Sequence, residues 1–474
     1  MMKRILRLGV VLALVVGGWT LRGMTAAPPP NVTQILGRPT FDTITLNVRA
    51  DVPLEWFVEY GRRADQLDHI TAHVTSPAGE PAEVLLDDLV PDAPYLYRVR
   101  YRLAGTTGGF DTGELLGFHT ARLPGSTFTF AAQGDSHPER ASSMFDADLY
   151  ERTLAAVAAE RPDFYLTSGD DFSVDTLRTL TRETVTDRYT LQVPYLSMVG
   201  RTSPLFLVNG NHEQAARYLL DGSPNNVAVW AQTARNRFFP QPAPDGFYSG
   251  NPEVVPHIGL LRNYYAWEWG DALFVVIDPY WSSPVAVDNV LGNRQPKRVD
   301  QWQITHGDEQ YAWLRDTLTS SRAKWKFVFA HHPLGTGRGG VEMADAFEWG
   351  GRNANGTWGF DTHRPAWELP IHQLMAATGV TIFFQGHDHL FAHQVKDGVV
   401  YQELPNPADF TYTAFNEDAY RSGETFPNSG YVKVTVGPQN VHVEYIRMFL
   451  PQDEQPPALV SGMVQFAYTI PATR

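Results

Sequence analysis

Five short segments of this chain concentrate imidazole, carboxylate and carboxamide groups: Gly134-Asp135-Ser136-His137, Gly169-Asp170-Asp171, Gly210-Asn211-His212-Glu213, His331-His332-Pro333 and Gly386-His387-Asp388-His389. They carry the nitrogen and oxygen donors that a hard or borderline divalent cation takes. The last is the most pointed, because adjacent imidazoles and a carboxylate desolvate badly without a partner. His387 and His389 stand two apart, so on an extended segment both face one side and each can meet a different cation; Asp135 and His137 repeat the spacing. A lone Gly-Asp is ordinary turn chemistry, and each motif alone carries a false-positive risk. Five in order, each closing an apolar run, point to one shared centre.

The runs that deliver them are 128–132, 164–168, 205–208, 327–330 and 381–385. Ligands of open α/β sheets sit beyond the carboxyl ends of strands, so loops following such runs can converge on one crevice. Glycine at four of the five lets the chain turn sharply and aim the next side chain. Apolar residues at helical spacing predict a helix over 145–160, with others over 309–318 and 369–377. Strands alternating with helices give a layered α/β domain. Two runs, 431–436 and 441–446, flank Gly437-Pro438 and read as a hairpin closing a sheet edge.

Upstream, 31–121 is β-like throughout, with period-two alternation in 43–48 and 95–101 and further runs at 55–60 and 82–89. Short strands at regular spacing predict a β-sandwich. Leu123-Pro124-Gly125 marks a boundary after it, and Pro28-Pro29-Pro30 is a stiff tether before it. Ahead of the tether, Lys3, Arg4 and Arg7 precede an apolar run over 9–19 and the small residues Thr25, Ala26 and Ala27. That order is a secretory signal peptide, residues 1–27; the run is shorter than the ~20 residues of a spanning helix, although an uncleaved anchor is the alternative. The location this predicts is secreted, periplasmic or cell-surface.

Composition narrows the chemistry. Over 474 residues, 43% are hydrophobic and 19% charged, as in a soluble globular protein. Lys and Arg total 38 against 52 Asp and Glu, a net charge of −14, which offers nucleic-acid duplexes no broad basic footprint. The chain has no cysteine, which removes disulfides, thiolate zinc sites, iron–sulfur clusters and thiol nucleophiles. No Gly-x-Ser-x-Gly elbow and no phosphate-binding loop ending in Gly-Lys-Ser/Thr is present.

In order, Gly-Asp-x-His, Gly-Asp, Gly-Asn-His-Glu, His-x-Pro and Gly-His-x-His resemble the calcineurin-like metallophosphoesterase superfamily over about 127–448. The upstream pattern Leu-x-Pro-x-x-x-Tyr-x-Tyr-Arg-Val over 89–99 resembles a fibronectin type III-like module, the layout of purple acid phosphatases. The resemblance implies a metallophosphoesterase β-sandwich flanked by helices (α/β/β/α) over 126–450, a fibronectin-like domain over 28–122, and a tail over 451–474. It further implies that Asp135, His137, Asp170 and His389 hold one divalent metal and Asp170, Asn211, His331 and His387 the other, with His212 a catalytic histidine outside both sets. The purple enzymes carry a tyrosine three residues after the bridging aspartate, where this chain has Ser173, and commonly lack the histidine supplied here by His137. Imidazole for phenolate favours a divalent ion over ferric iron, so the resemblance implies a colourless centre of Mn, Zn or Fe(II).

Such a pair can polarise a bound phosphate and generate hydroxide near neutral pH for in-line attack, with His212 assisting the leaving group. Glu213 either orients His212 or satisfies the loop backbone. Residues 335–365 read as a long polar rim whose Arg338, Arg352 and Arg364 suit phosphate oxygens, with Trp349 and Trp358 as pocket walls. His257, His306, His363 and His372 lack partner spacing and read as structural, while His393 is placed in the outer shell of the site. The leading expectation is an exported phosphomonoesterase acting on small phosphate esters, of the acid phosphatase kind. The same cage serves phosphodiesters, and a cell-surface binding protein with a vestigial centre is the alternative from another class.

Overall fold

The computed structural model describes residues 29–141, 143–291 and 299–472; the expected signal peptide, residues 1–27, lies outside them. Among the described residues no helix is long and apolar enough to cross a membrane.

Two sheets face one another across an aromatic core. In the first, Leu205–Leu207, Phe164–Thr167 and Phe128–Gln133 run parallel, followed antiparallel by Gly430–Val436, Asn440–Arg447 and Val464–Pro471. In the second, Ala272–Val276, Trp325–Phe329, Ile382–Gln385 and Val399–Glu403 run parallel, with antiparallel neighbours at both ends. Alternation decides which side chains enter the core: Phe130, Phe164, Phe206, Trp267, Phe274, Phe327, Phe329 and Phe384 point between the sheets. Tyr165, Leu205 and Leu207 point outward against the helices Ala147–Glu160, Arg182–Gly200 and Val227–Phe238. On the other side, Val275, Val328 and Phe383 pack beneath Asp308–Ser320 and Ile371–Ala377. The result is the α/β/β/α stack.

Three motifs follow the parallel strands of the first sheet and two follow parallel strands of the second. The crevice therefore lies at one end of the sandwich, shared by both sheets, rather than above a single open sheet.

The amino-terminal region is a β-sandwich of its own. Val32–Gly37, Ile44–Ala50 and Ala82–Leu86 form one sheet, and Leu54–Gly61 with Pro94–Leu103 centre the other, around Leu46, Trp56, Tyr97 and Val99. Tyr97 Oη donates to Arg201 O at 2.7 Å and Asn47 Nδ2 to Arg237 O at 3.0 Å, tying it to the carboxyl ends of the helices Arg182–Gly200 and Val227–Phe238.

Two chain-end expectations change. The 431–446 hairpin does not close the sheet, because Val464–Pro471 pairs outside it. That strand lies within the stretch 451–474 expected as a tail; its apolar residues Phe466, Tyr468 and Ile470 pack on the aromatic core, which is what makes it a strand. The 335–365 segment is in part packed into the core rather than wholly a polar rim. It carries short helices at Phe347–Gly350 and Phe360–His363, and Trp349 is a fully buried core residue bonded to Tyr401 Oη, not a pocket wall.

Candidate metal centre

Backbone conformation aims the side chains. Asp170, His137, His387 and His389 all adopt the left-handed region, with φ of 57°, 47°, 81° and 54°. Non-glycine residues hold such conformations where the surroundings over-determine them. His387 and His389 therefore do not sit on an extended segment; two left-handed turns, not strand alternation, send one toward His331 and the other toward Asp135.

The motif glycines also act differently from the expectation. Gly169 has a positive φ, 102°, but Gly210 and Gly386 are needed for close approach. A Cβ on Gly210 would strike the Asp170 carboxylate, and one on Gly386 would strike Ser168 Oγ and Asp135 Oδ1.

The seven residues Asp135, His137, Asp170, Asn211, His331, His387 and His389 are all buried. Donor atoms of Asp135, Asp170, His331 and His387 lie within 4.8 Å of one another, as do those of Asp135, His137 and His389, and those of His137, Asp170 and His212. Asp170 Oδ2 stands 3.0 Å from His331 Nε2 and 4.0 Å from His137 Nε2, between the two ends of the cluster. Asp135 Oδ2 is 3.1 Å from His389 Nε2 and 3.8 Å from His137 Nε2.

Neighbours orient the rings from behind. His331 Nδ1 donates to Ser168 O at 2.9 Å, leaving Nε2 for the centre. His137 Nδ1 faces Glu139 Oε1 and Ser173 Oγ, both at 3.1 Å, so Ser173 reaches the centre through His137. Partners of this kind fix the tautomer of a metal-ligating histidine. Asp388 turns away: its Oδ2 accepts from Gly339 N at 2.6 Å and Tyr420 Oη at 2.7 Å. That is how Gly-His-Asp-His keeps its carboxylate apart from the imidazoles beside it.

Five buried atoms at the centre have no hydrogen-bond partner: Asp135 Oδ2, His137 Nε2, Asn211 Oδ1, His387 Nε2 and His389 Nδ1. Leaving buried polar atoms unpaired costs about 1–3 kcal/mol each, so their concentration on the clustered donor residues fits a site built for cations. The electrostatics agree. Burial opposes charge on Asp135 and Asp170, yet His331 beside both, with His389 near the first and His212 near the second, holds both carboxyls well below the usual range. Burial and Arg140 oppose charge on His137, but Glu139 and Asp135 push it up to about 9. Against its burial, His331 is pushed up to about 10 by Asp170 and Asp135. At His387 and His389, by contrast, burial holds the rings below the ordinary imidazole range.

His212 overlooks the cluster. Its backbone N–H donates to Asp170 Oδ1 at 2.9 Å, its Nδ1 donates to Asp175 Oδ1 at 2.7 Å, and its Nε2 accepts from Arg140 Nη2 at 3.1 Å. Glu213 takes the backbone role: Oε2 accepts from Gly210 N at 2.6 Å and Oε1 from Phe172 N at 3.2 Å. Asp175 and Arg140 escaped the sequence reading, since each sits a few residues past a motif with only its place on the chain as a signal.

Of the three rim arginines, Arg338 lies beside the Gly-His-Asp-His motif, with Nη1 3.3 Å from His387 O and 3.5 Å from Asp388 Oδ1. Arg352 is spent on Gly356 O in a local turn. Arg364 binds the Glu348 carboxylate through Nε and Nη2 at 2.9 and 2.7 Å and lies against Trp302 and Trp367. Both are structural here, because their partners compete successfully for the guanidinium. His393 also leaves the site: its ring packs on Tyr468 at 4.2 Å.

A family model described as calcineurin-like phosphoesterase matches residues 128–391. Among solved structures, one described as the structure of PhoD matches with a TM-score of 0.63 and 15% identity, over 93% of this chain and 90% of that one. The purple acid phosphatase PPD1 from yellow lupin (Lupinus luteus) seeds matches with a TM-score of 0.57 and 16% identity, over 94% of this chain and 75% of that one. No curated protein matches the chain.

Proposed function

This chain belongs to the calcineurin-like phosphoesterase family, whose members are metal-dependent hydrolases of phosphoesters, and on that premise we propose that it is an exported phosphomonoesterase. The observation that carries the reading is the set of buried Asp and His donors clustered around Asp135 and Asp170, with His212 beside them. In this reading Asp135, His137, Asp170 and His389 hold one divalent ion, and Asp170, Asn211, His331 and His387 hold the second, with Asp170 shared. Mn, Zn and Fe(II) all suit this nitrogen and oxygen set. When bound, the pair supplies Lewis-acid neutralisation of phosphate charge and an activated water near neutral pH.

The chain's own groups do the rest. Asp175 fixes the His212 ring by accepting from Nδ1, which turns Nε2 toward the centre. From there Nε2, once released from Arg140 and protonated from solvent, serves as the proton donor to the leaving oxygen. Arg140 donates to that same Nε2 in the ligand-free site. A phosphate oxygen is the stronger acceptor for a guanidinium, so substrate draws Arg140 onto the phosphoryl group and frees Nε2. Arg338 lies on the His387 side. Two guanidinium groups in addition to the cations suit the dianion of a terminal phosphoryl group, and this favours the monoester. Export rests on the basic, apolar and small residues in succession over 3–27.

Hydrolysis of 4-nitrophenyl phosphate and of bis(4-nitrophenyl) phosphate, with metal analysis of the same sample, tests the reading. The monoester is expected to turn over faster with two metal ions per chain. Preference for the diester replaces the monoesterase by a phosphodiesterase, and turnover of neither by the fully loaded protein favours a binding role.

A further inference from the structure

Phe415 is a feature of the site that phosphoryl chemistry leaves unused. It is 63% exposed, while its ring centroid lies 6.4 Å from that of His389. Single exposed apolar residues are common on protein surfaces; this one is held in place. Next along the chain, Asn416 donates from Nδ2 to Asp388 O at 3.0 Å. Before it, Asp409 Oδ1 accepts from Thr411 N and Oγ1, and Asp409 Oδ2 accepts from Asn428 Nδ2, which also donates to His389 O at 2.6 Å. The loop carrying Phe415 is thus tied on both sides to the carbonyls of the motif that supplies His387 and His389. Four rings follow one another from the centre outward to the surface, His212, His137, His389 and Phe415, with centroid separations of 5.0, 5.1 and 6.4 Å. Phe415 thus meets the centre at His389, whose other neighbour ring, His137, is the one His212 also meets.

We infer that Phe415 determines specificity by packing against the leaving group, so that phosphate esters of aromatic or planar apolar alcohols are the preferred substrates. The inference rests on the monoesterase reading above. With the phosphoryl group at the centre and His212 at the leaving oxygen, the remainder of the ester passes over the His137 end toward the exposed Phe415 ring. Contacts between aromatic rings are worth a factor of about two to ten in affinity.

Ethyl phosphate and 2-phenylethyl phosphate share an alkyl leaving oxygen and differ in the ring, so they separate packing from leaving-group acidity. The metal-loaded wild type is expected to prefer the phenylethyl ester in kcat/KM. Phe415→Ala should lose about fivefold on that ester, mainly through KM, and stay within about twofold on ethyl phosphate, while Phe415→Tyr restores the preference. Calorimetric titration with ethylphosphonate and 2-phenylethylphosphonate reads the same difference without turnover. Because the side chain lies mostly in water, its truncation leaves folding intact. Equal effects of Phe415→Ala on both esters, or none on either, overturn the inference. If the wild type cleaves neither monoester, the monoesterase reading has failed on its own. The phosphonate pair and the corresponding methyl diesters then decide the role of Phe415, and absence of a Phe415-dependent preference there overturns it.

Discussion

The chain buries two histidine–carboxylate clusters, and they behave oppositely. Around Glu348, both oxygens are filled: Oε1 accepts from His306 N and Nδ1 at 2.9 and 2.7 Å, and Oε2 from the Arg364 guanidinium. Only His306 Nε2 is left without a partner there. Near Asp170, five buried atoms from three loops are without a hydrogen-bond partner. Residue types are shared; what differs is whether lone pairs are already spent. A buried acidic and imidazole cluster with its acceptors used is a brace, whereas one with them idle and convergent is a receptor for cations.

Substitution should separate brace from receptor. Asp170→Asn removes the shared carboxylate and is expected to abolish both metal content and phosphoester hydrolysis, measured on one purified sample. Glu348→Gln should cost about 3 kcal/mol in denaturant-determined stability, as breaking a buried ion pair does, yet leave metal content per folded chain unchanged. Metal loss in the second variant would erase the distinction.

His212→Ala should lower kcat about 10²–10³-fold with metal retained, and Asp175→Asn about tenfold to a hundredfold. Loss of metal in His212→Ala would make it a ligand rather than a proton donor. Smaller still is the effect of pH on stability. His137 and His331, raised to about 9 and about 10 without cations, stabilise the fold fully below their ordinary 6.5 and cease to do so as pH climbs through the raised values. Cation-free protein should therefore lose thermal stability between about pH 7 and pH 10, while loaded protein, in which cations have displaced those protons, should not. Melting with and without chelator across that range checks it; a gap that fails to widen counts against the donor set.

The centre was legible because its residues sit on the chain immediately after apolar runs, and strand ends are a local property. The layered fold followed from alternation of strand and helix for the same reason. What escaped was set by tertiary approach. Arg364 reads like Arg338 in sequence, but Glu348 and two tryptophans claim it. Asp175, Arg140 and Phe415 matter through the His212 and His389 rings that they approach, and spacing carries no trace of that. Among the glycines, Gly169 turns the chain with the positive φ its place suggests, whereas at Gly210 and Gly386 crowding by Asp170 and Asp135 rules out a side chain.

The donors are split between two layers: Asp135, Asp170 and Asn211 follow strands of one sheet, and His331, His387 and His389 strands of the other. The aromatic filling between them is non-directional and tolerates sliding, whereas coordination bonds are directional. A cation pair would thus act as a rivet, fixing the sheets in translation at one end of the sandwich. Withdrawing it should speed amide hydrogen exchange in the five motif loops while Phe130 and Phe327, deep between the sheets, stay protected.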